Sequence, residues 1–245
     1  MADAPDRPAS EKLARLAALE TALVTADPAE PAAAALAEVD RTSGTGIAEA
    51  QLLLDAFRQD AVKQRYADWE ELLDYCRRSA NPVGRFLLRL HREPDSAVAP
   101  ADALCTALQI LNHLQDLAPD RQRLDRVYLP LPWLEQAGGE AAFFAPHATA
   151  ARRRILDAAL DQADALLAIA GDLPAQLRSR RLAAQAAATI ACGRALSARL
   201  RRRDPLPSRV AVRRAEVAFH VLRAGLLRQV SEDAALARAT VRQKA

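Results

Sequence analysis

Apolar residues recur at helical spacing along almost the whole chain, and this rhythm limits the fold more than any other feature. In residues 10–26, four leucines fall on one face of a helix: Leu13, Leu16, Leu19 and Leu23. Ser10 is placed to cap the N-terminus of this helix. No segment of roughly four to eight residues alternates polar and apolar side chains as a half-buried strand would. We therefore predict an all-α fold.

Short loops separate the predicted helices, except for the long connection at residues 127–147. Turn residues mark a break at 41–46 and a junction at 81–84. No repeat or Gly/Ser-rich linker divides the 245 residues, so we expect a single domain over residues 1–245. The predicted helices span residues 10–26, 27–39, 47–64, 67–80, 84–91, 100–117, 148–171, 174–202 and 209–230.

The composition excludes several classes of protein. With 51% hydrophobic and 27% charged residues, the chain is neither disordered-like nor membrane-like. No apolar run reaches the roughly 18 residues that span a bilayer, and no signal peptide opens the chain. Cys76, Cys105 and Cys192 lack the spacing of a zinc site, which favours reduced thiols. We expect a cytoplasmic protein, with peripheral contact to the inner face of the membrane as a further possibility.

Basic residues concentrate in two tracts, RSRRLAAQ (178–185) and RLRRRDPLPSRVAVRRAE (199–216), although the net charge is only +3. A solvated helix face is the ordinary interpretation of such tracts. An anionic membrane surface or nucleic acid are the alternatives. Because the second tract has no interleaved aromatic residues for base stacking, we expect no nucleic-acid partner.

A polar stripe follows an apolar approach in ADALCTALQILNHLQDLAPD. Asn112, Asp116 and Asp120 stand four apart, which places them on one side of a helix with about 3.6 residues per turn. Taken alone, this pattern is explained by a solvent-exposed helix face. Since the approach is apolar on several sides, however, the helix is expected to be buried, and buried carboxylates are costly unless they are paired or bind metal. Oxygen ligands of this kind suit Mg²⁺ and a substrate phosphate.

A second group of polar side chains lies in RYADWEELLDYCRRSANPVGR, residues 65–85. Two interpretations of Tyr66 and Tyr75 are open. They lie at the edge of the core with their hydroxyls towards water, or they line a ligand cavity. Pro82 removes a helical hydrogen bond and Gly84 removes a side chain. Together they predict a bend beside the core where a long apolar ligand could enter.

These stretches carry a resemblance to a known family. ELLDYCRRSANPVGR (71–85), LCTALQILNHLQDLAPD (104–120) and RVYLP (126–130) resemble the squalene/phytoene synthases. SANPVGR with DALCTALQ is most similar to the HpnC-type branch, the hydroxysqualene synthases of hopanoid biosynthesis. The resemblance implies an isoprenoid synthase fold around a deep apolar cavity. It also implies Mg²⁺-assisted ionisation of a prenyl diphosphate, with presqualene or farnesyl diphosphate as substrate.

Site residues follow from the resemblance by matching positions. It implies a metal-binding role for Asn112, Asp116 and Asp120, and substrate binding by Gln109, Arg126 and Tyr128. It further implies that Tyr66 and Tyr75 are catalytic and that Arg65 and Asn81 bind substrate or support the cavity.

The family has a first aspartate-rich, metal-binding motif before these stretches, and the resemblance implies that Asp3 is its last aspartate and a metal-binding residue. The other residues of that motif and the opening helices would precede Met1. We therefore expect the 245-residue chain alone to be inactive or nearly so. Within the second motif, Pro119 predicts a kink near Leu117 that puts the direction of Asp120 in doubt.

Three functions are compatible with the sequence. The leading hypothesis is a hydroxysqualene synthase acting on presqualene diphosphate, and its variant is condensation of two farnesyl diphosphates. The second is a catalytically dead helical partner that holds a polyprenyl lipid or a sister enzyme of hopanoid synthesis. The third is a plain α-helical interaction protein with a basic tail. No G-x-G-x-x-G after a strand indicates NADPH binding.

Overall fold

The computed structural model describes residue 4 and residues 7–224, and this part of the chain is helical without a β-strand. The all-α fold predicted from the sequence is confirmed. A single pair of residues, Tyr66 and Pro130, forms an isolated parallel β-bridge. The helices are α1 (Ala9–Thr25), α2 (Pro31–Ser43), α3 (Ile47–Val62), α4 (Trp69–Ser79), α5 (Asn81–Leu90), α6 (Val98–Gln115), α7 (Leu117–Leu124), α8 (Leu131–Gln136), α9 (Glu140–Phe143), α10 (Ala150–Ala170), α11 (Leu173–Gln176) and α12 (Arg180–Arg202), followed by a helical segment at 214–224.

The helix predicted at 174–202 is two helices. The chain is extended at Leu177 and Ser179, and the Ser179 hydroxyl accepts a hydrogen bond from the Leu182 amide to cap α12. The carboxylate of Glu93 accepts hydrogen bonds from the backbone amides of Arg178 and Ser179, at 2.6 and 2.8 Å. This contact crosses more than 80 residues of sequence, so local spacing could not predict the break.

The other boundaries differ in smaller ways. α1 begins at Ala9 with Pro8 before it, so the N-cap prediction for Ser10 is wrong. α2 continues to Ser43, and the break falls at Gly44, whose φ of 68° suits glycine. The long connection at 127–147 contains the short helices α8 and α9. Of the helix predicted at 209–230, residues 225–230 lie outside the described residues.

α6 is the central helix, and it packs against α10, α5, α12 and α4. Between Pro100 and Asp116 most of its residues are buried, because neighbours cover it on nearly every side. The residues that keep some exposure form one stripe along the helix: Asp102, Cys105, Leu108, Gln109, Asn112 and Asp116. The predicted polar stripe is therefore the C-terminal part of the one face of α6 that is left open.

The junction between α4 and α5 brings α5 close to α6. Pro82 is the second residue of α5, where its missing N–H costs nothing. A Cβ added at Gly84 would lie 2.7 Å from the Sγ of Cys105, so the two helices touch through the glycine. One turn earlier, the Asn81 side chain accepts a hydrogen bond from the Thr106 hydroxyl, 2.9 Å away. The predicted bend is thus a close helix–helix contact.

None of the helices in the described part of the chain is long and apolar enough to cross a lipid bilayer.

Candidate active site

The polar end of the open α6 face forms one wall of a pocket of about 280 Å³. Side chains from α3, α4, α6, α7 and the segment after α7 meet there because α6 and α4 pack side by side. Seven of the residues that the sequence singles out line this pocket: Tyr75, Gln109, Asn112, Asp116, Asp120, Arg126 and Tyr128. Five further lining residues received no role from the sequence: Phe57, Asp60, Ser79, His113 and Leu124.

Asp116 lies at the break between α6 and α7, with φ of −103° and ψ of 12°. Pro119 predicts a kink near Leu117, and the break lies one residue earlier, at Asp116. Pro119 is the third residue of α7, and the first N–H groups of a helix have no intrahelical partner to lose. The amide of Asp120 still donates to the Asp116 carbonyl at 2.9 Å, and both side chains line the pocket.

A buried polar network forms the floor of the pocket around Asp60, which is 7% exposed. The Tyr75 hydroxyl donates to its Oδ2 at 3.0 Å, and Nη1 of Arg126 lies 3.3 Å from its Oδ1. Nη2 of Arg126 donates to the Asp60 carbonyl, and Nη1 donates to the Tyr128 hydroxyl at 3.1 Å. Burial, reinforced by the charge of Asp60, raises the pKa of Tyr75, so this phenol keeps its proton and acts as a donor.

His113 is a further pocket residue, and it is 4% exposed. Its ring stacks on Tyr128 with 3.5 Å between the centroids. Burial and, to a lesser extent, the Arg126 charge lower the pKa of His113 to about 3, so the imidazole is neutral. Its Nε2 has no hydrogen-bond partner. Spacing alone could not find His113, because it lies beside the Asn112 stripe and not on it.

Replacing His113 with Phe should flatten the acid side of the stability profile of the metal-free protein. The folded-state pKa is below the ordinary value of 6.5, so the unfolded chain takes up the proton first as the pH falls. Stability is therefore lost between pH 6.5 and about 3, by up to roughly 1.4 kcal/mol per pH unit for this group. Urea unfolding at several pH values should show a smaller slope for His113→Phe; an unchanged slope would contradict the buried neutral imidazole.

Three of the predicted site residues lie behind or beside the pocket. Tyr66 is 1% exposed and packs edge-on against Tyr75, with 5.8 Å between the ring centroids. Arg65 binds Glu140 and Asp125, where its Nε lies 2.6 Å from Oε2 of Glu140. Asn81 is buried against α6. Tyr66, Arg65 and Asn81 are not among the lining residues; Asp3 lies outside the described residues.

A second pocket, of about 160 Å³, lies at the apolar end of the same α6 face. Its walls are mostly leucine and alanine side chains from α5, α6, α12 and the region of α11. Cys105 and Leu108 line it, and Gln109 and Asn112 line the polar pocket one turn further on. One helix face therefore passes from an apolar cleft to a carboxylate-lined one.

Arg209 approaches the polar pocket from the segment after α12. Its Nε donates to Oδ1 of Asp116 at 2.7 Å, and Nη2 lies 3.3 Å from Oδ2. The side chain of Asp116 is 22% exposed and that of Arg209 is 56% exposed.

The donors at this end of the pocket fit Mg²⁺. Among the residues that the structure describes, no three His, Cys, Asp or Glu side chains are grouped to hold a metal ion by themselves. The pocket instead offers the carboxylates of Asp116 and Asp120 and the amide of Asn112. Mg²⁺ typically uses one or two carboxylates, keeps several waters and takes substrate phosphates as its remaining ligands. This set of oxygen donors suits that arrangement.

Comparison with known proteins agrees with the fold. The family model for squalene/phytoene synthase matches residues 1–216. The hydroxysqualene synthase of Zymomonas mobilis is 36% identical over 220 residues, which are 87% of this chain and 74% of that protein. The hydroxysqualene synthase of Sinorhizobium fredii is 37% identical over 69% of this chain and 58% of its own length. The crystal structure of squalene synthase HpnC from Alicyclobacillus acidocaldarius superposes with a TM-score of 0.70 at 37% identity, covering 77% of this chain and 73% of that one.

The fold and these relatives define an all-α enzyme of the prenyltransferase type. The chain belongs to the squalene/phytoene synthase family. It spans 74% and 58% of the two relatives' lengths.

Proposed function

We propose that this protein is a hydroxysqualene synthase, which converts presqualene diphosphate to hydroxysqualene in hopanoid biosynthesis. The observation that carries the proposal is the open face of α6, which is apolar at Cys105 and Leu108 and polar from Gln109 to Asp116. A prenyl diphosphate has the same division into a long hydrocarbon and a charged head. The names of the relatives at 36–37% identity support this choice.

At the polar end, Asp116, Asp120 and Asn112 would hold Mg²⁺, which neutralises the leaving diphosphate when it is bound. Arg126 offsets the charge of Asp60 at the pocket floor and holds the Tyr128 hydroxyl by a hydrogen bond of 3.1 Å. Gln109, one turn from Asn112, supplies an amide donor on the same side. These groups favour an anionic head at this end of the pocket.

At the other end, the apolar pocket would take the hydrocarbon and keep bulk water away from the carbocation. The rings of Tyr75 and Tyr128 line the polar pocket with 6.2 Å between their centroids, and Tyr66 packs behind both rings at 5.8 and 5.9 Å. Ring faces stabilise nearby positive charge. In a hydroxysqualene synthase one water reaches the rearranged cation and forms the alcohol.

The proposal extends to the cellular location of the enzyme and its contact with the membrane. We place it in the cytoplasm, with the basic C-terminal region in peripheral contact with the membrane that holds the lipid product. Within 199–216, Arg199 pairs with Glu216 and Arg201 with Asp161 and Asp164, as expected for a solvated face. Four further arginines of this segment are exposed and could contact anionic lipid: Arg202, Arg203, Arg213 and Arg214.

The proposal is tested with the protein expressed from its genomic reading frame, Mg²⁺ and presqualene diphosphate in H₂¹⁸O. We expect an alcohol that carries one ¹⁸O by mass spectrometry, and no product when EDTA is present. Farnesyl diphosphate as the sole substrate tests the condensation variant. A hydrocarbon product, or no turnover of presqualene diphosphate, would refute the assignment.

A further inference from the structure

Residues 208–213 form a strap that crosses the C-terminal end of α6. The Val210 side chain is 4% exposed and belongs to the core. The Gln115 amide donates to the Val210 carbonyl, and Nη1 of Arg199 donates to the Ala211 carbonyl at 2.6 Å. The backbone on the C-terminal side of Arg209 is therefore fixed by buried and polar contacts that do not involve the Arg209 side chain.

This anchoring places the Arg209 guanidinium on the carboxylate of Asp116. Two of its nitrogens reach the two carboxylate oxygens, at 2.7 and 3.3 Å. The carboxylate of Asp116 and, more weakly, that of Asp120 raise the pKa of Arg209. In the metal-free protein Arg209 thus offsets the charge of Asp116, one of the two carboxylates that the proposed function assigns to Mg²⁺.

We propose that Arg209 is a built-in counter-ion which Mg²⁺ must displace from Asp116, so that the strap sets the metal affinity of the free enzyme. The inference rests on the proposed function, because it takes Asp116 as a metal ligand. A carboxylate oxygen that accepts a short hydrogen bond from a cation is a poorer metal ligand, and two cations at one carboxylate repel each other. Because the Arg209 side chain is 56% exposed, it can leave Asp116 without disturbing the strap backbone.

The structure offers a matched control. Arg213 lies four residues further along the same segment and is exposed. Arg213→Gln removes the same charge as Arg209→Gln, but it leaves the contact with Asp116 intact. General weakening of the positive field would affect Mg²⁺ equally in the two variants, whereas loss of a competing counter-ion affects only Arg209→Gln.

The experiment is calorimetric titration of the metal-free protein with MgCl₂ at low ionic strength, without substrate. We expect Arg209→Gln to bind Mg²⁺ roughly three- to fivefold more tightly than wild type, the change expected for losing a partly exposed ion pair. Arg213→Gln should match wild type within about twofold, as expected for an exposed charge away from the site. Added NaCl should narrow the gap between Arg209→Gln and wild type, since salt screens the competing cation.

Asp116→Asn separates the inference from the proposed function. If Asp116→Asn loses Mg²⁺ binding and Arg209→Gln binds no more tightly than wild type, the counter-ion role is wrong while the metal site stands. If Asp116→Asn binds Mg²⁺ as wild type does, the metal site itself is misassigned and both ideas fail. Equal tightening in Arg209→Gln and Arg213→Gln would also overturn the counter-ion role, since it would reflect net charge alone.

Discussion

Asp116→Asn is expected to lower the rate of presqualene diphosphate turnover by about 10²–10³, on the scale of losing one group that stabilises charge in the transition state. The substitution keeps the size of the side chain and removes its charge. Asp116 lines the polar pocket at the end of the open α6 face, so its loss removes a proposed Mg²⁺ ligand and leaves the apolar pocket unchanged. Steady-state assays with Mg²⁺ varied should show a fall in kcat that added Mg²⁺ does not restore.

Asp125→Asn is the matched control for this prediction. Asp125 follows α7, its side chain is 78% exposed, and it lies outside the pocket lining. Its φ of 48° is one that Asn adopts readily, so the fold should tolerate the change. A similar fall in rate for Asp125→Asn and Asp116→Asn would show that removing any carboxylate near α7 lowers the rate, and that the effect is not specific to the pocket carboxylate.

Arg126→Met is expected to destabilise the protein by about 3–5 kcal/mol, because it leaves the Asp60 carboxylate buried without its counter-ion. The two side chains are 5% and 6% exposed. The hydrogen bond from Arg126 to Tyr128 would be lost as well. Urea unfolding at pH 7 measures the change in the free energy of unfolding.

The double variant Asp60→Asn, Arg126→Met provides the check. Removing both charges should recover part of the lost stability, since a neutral amide is cheaper to bury than an unpaired carboxylate. Arg7→Met removes an exposed partner of Glu11 and should change the stability by less than about 1 kcal/mol. Additive losses in the double variant would mean that Asp60 and Arg126 do not depend on each other.

The sequence predicts the central part of this site because that part is local. Asn112 and Asp116 share one helix face, and the apolar residues around them are the ones that bury α6. Helical periodicity in the sequence predicts both the shared face and the burial of α6. The fold class follows from the same signal, since nearly every segment repeats it.

The remainder of the pocket depends on contacts between distant segments. Asp60 belongs to α3, and its partners Tyr75 and Arg126 come from α4 and from the segment after α7. Arg209 lies 93 residues beyond Asp116. Spacing along the chain has no information about such pairs, and a resemblance identifies only positions that match its motifs. The break before α12 cannot be predicted for the same reason, since the amides at the break are bound by Glu93 from another part of the fold.

The break at Asp116 places the two pocket carboxylates on two different helices, which are joined by the hydrogen bond from the Asp120 amide to the Asp116 carbonyl. Asp116 ends one helix axis and Asp120 belongs to the next, so the gap between their oxygens varies with the angle between α6 and α7. If Asp116 and Asp120 together hold an ion, they would favour one angle between α6 and α7, and with it one position of the chain leading to Arg126 and Tyr128. Metal binding at Asp116 and Asp120 would thereby affect the buried network around Asp60, through the tilt of the two-turn helix α7.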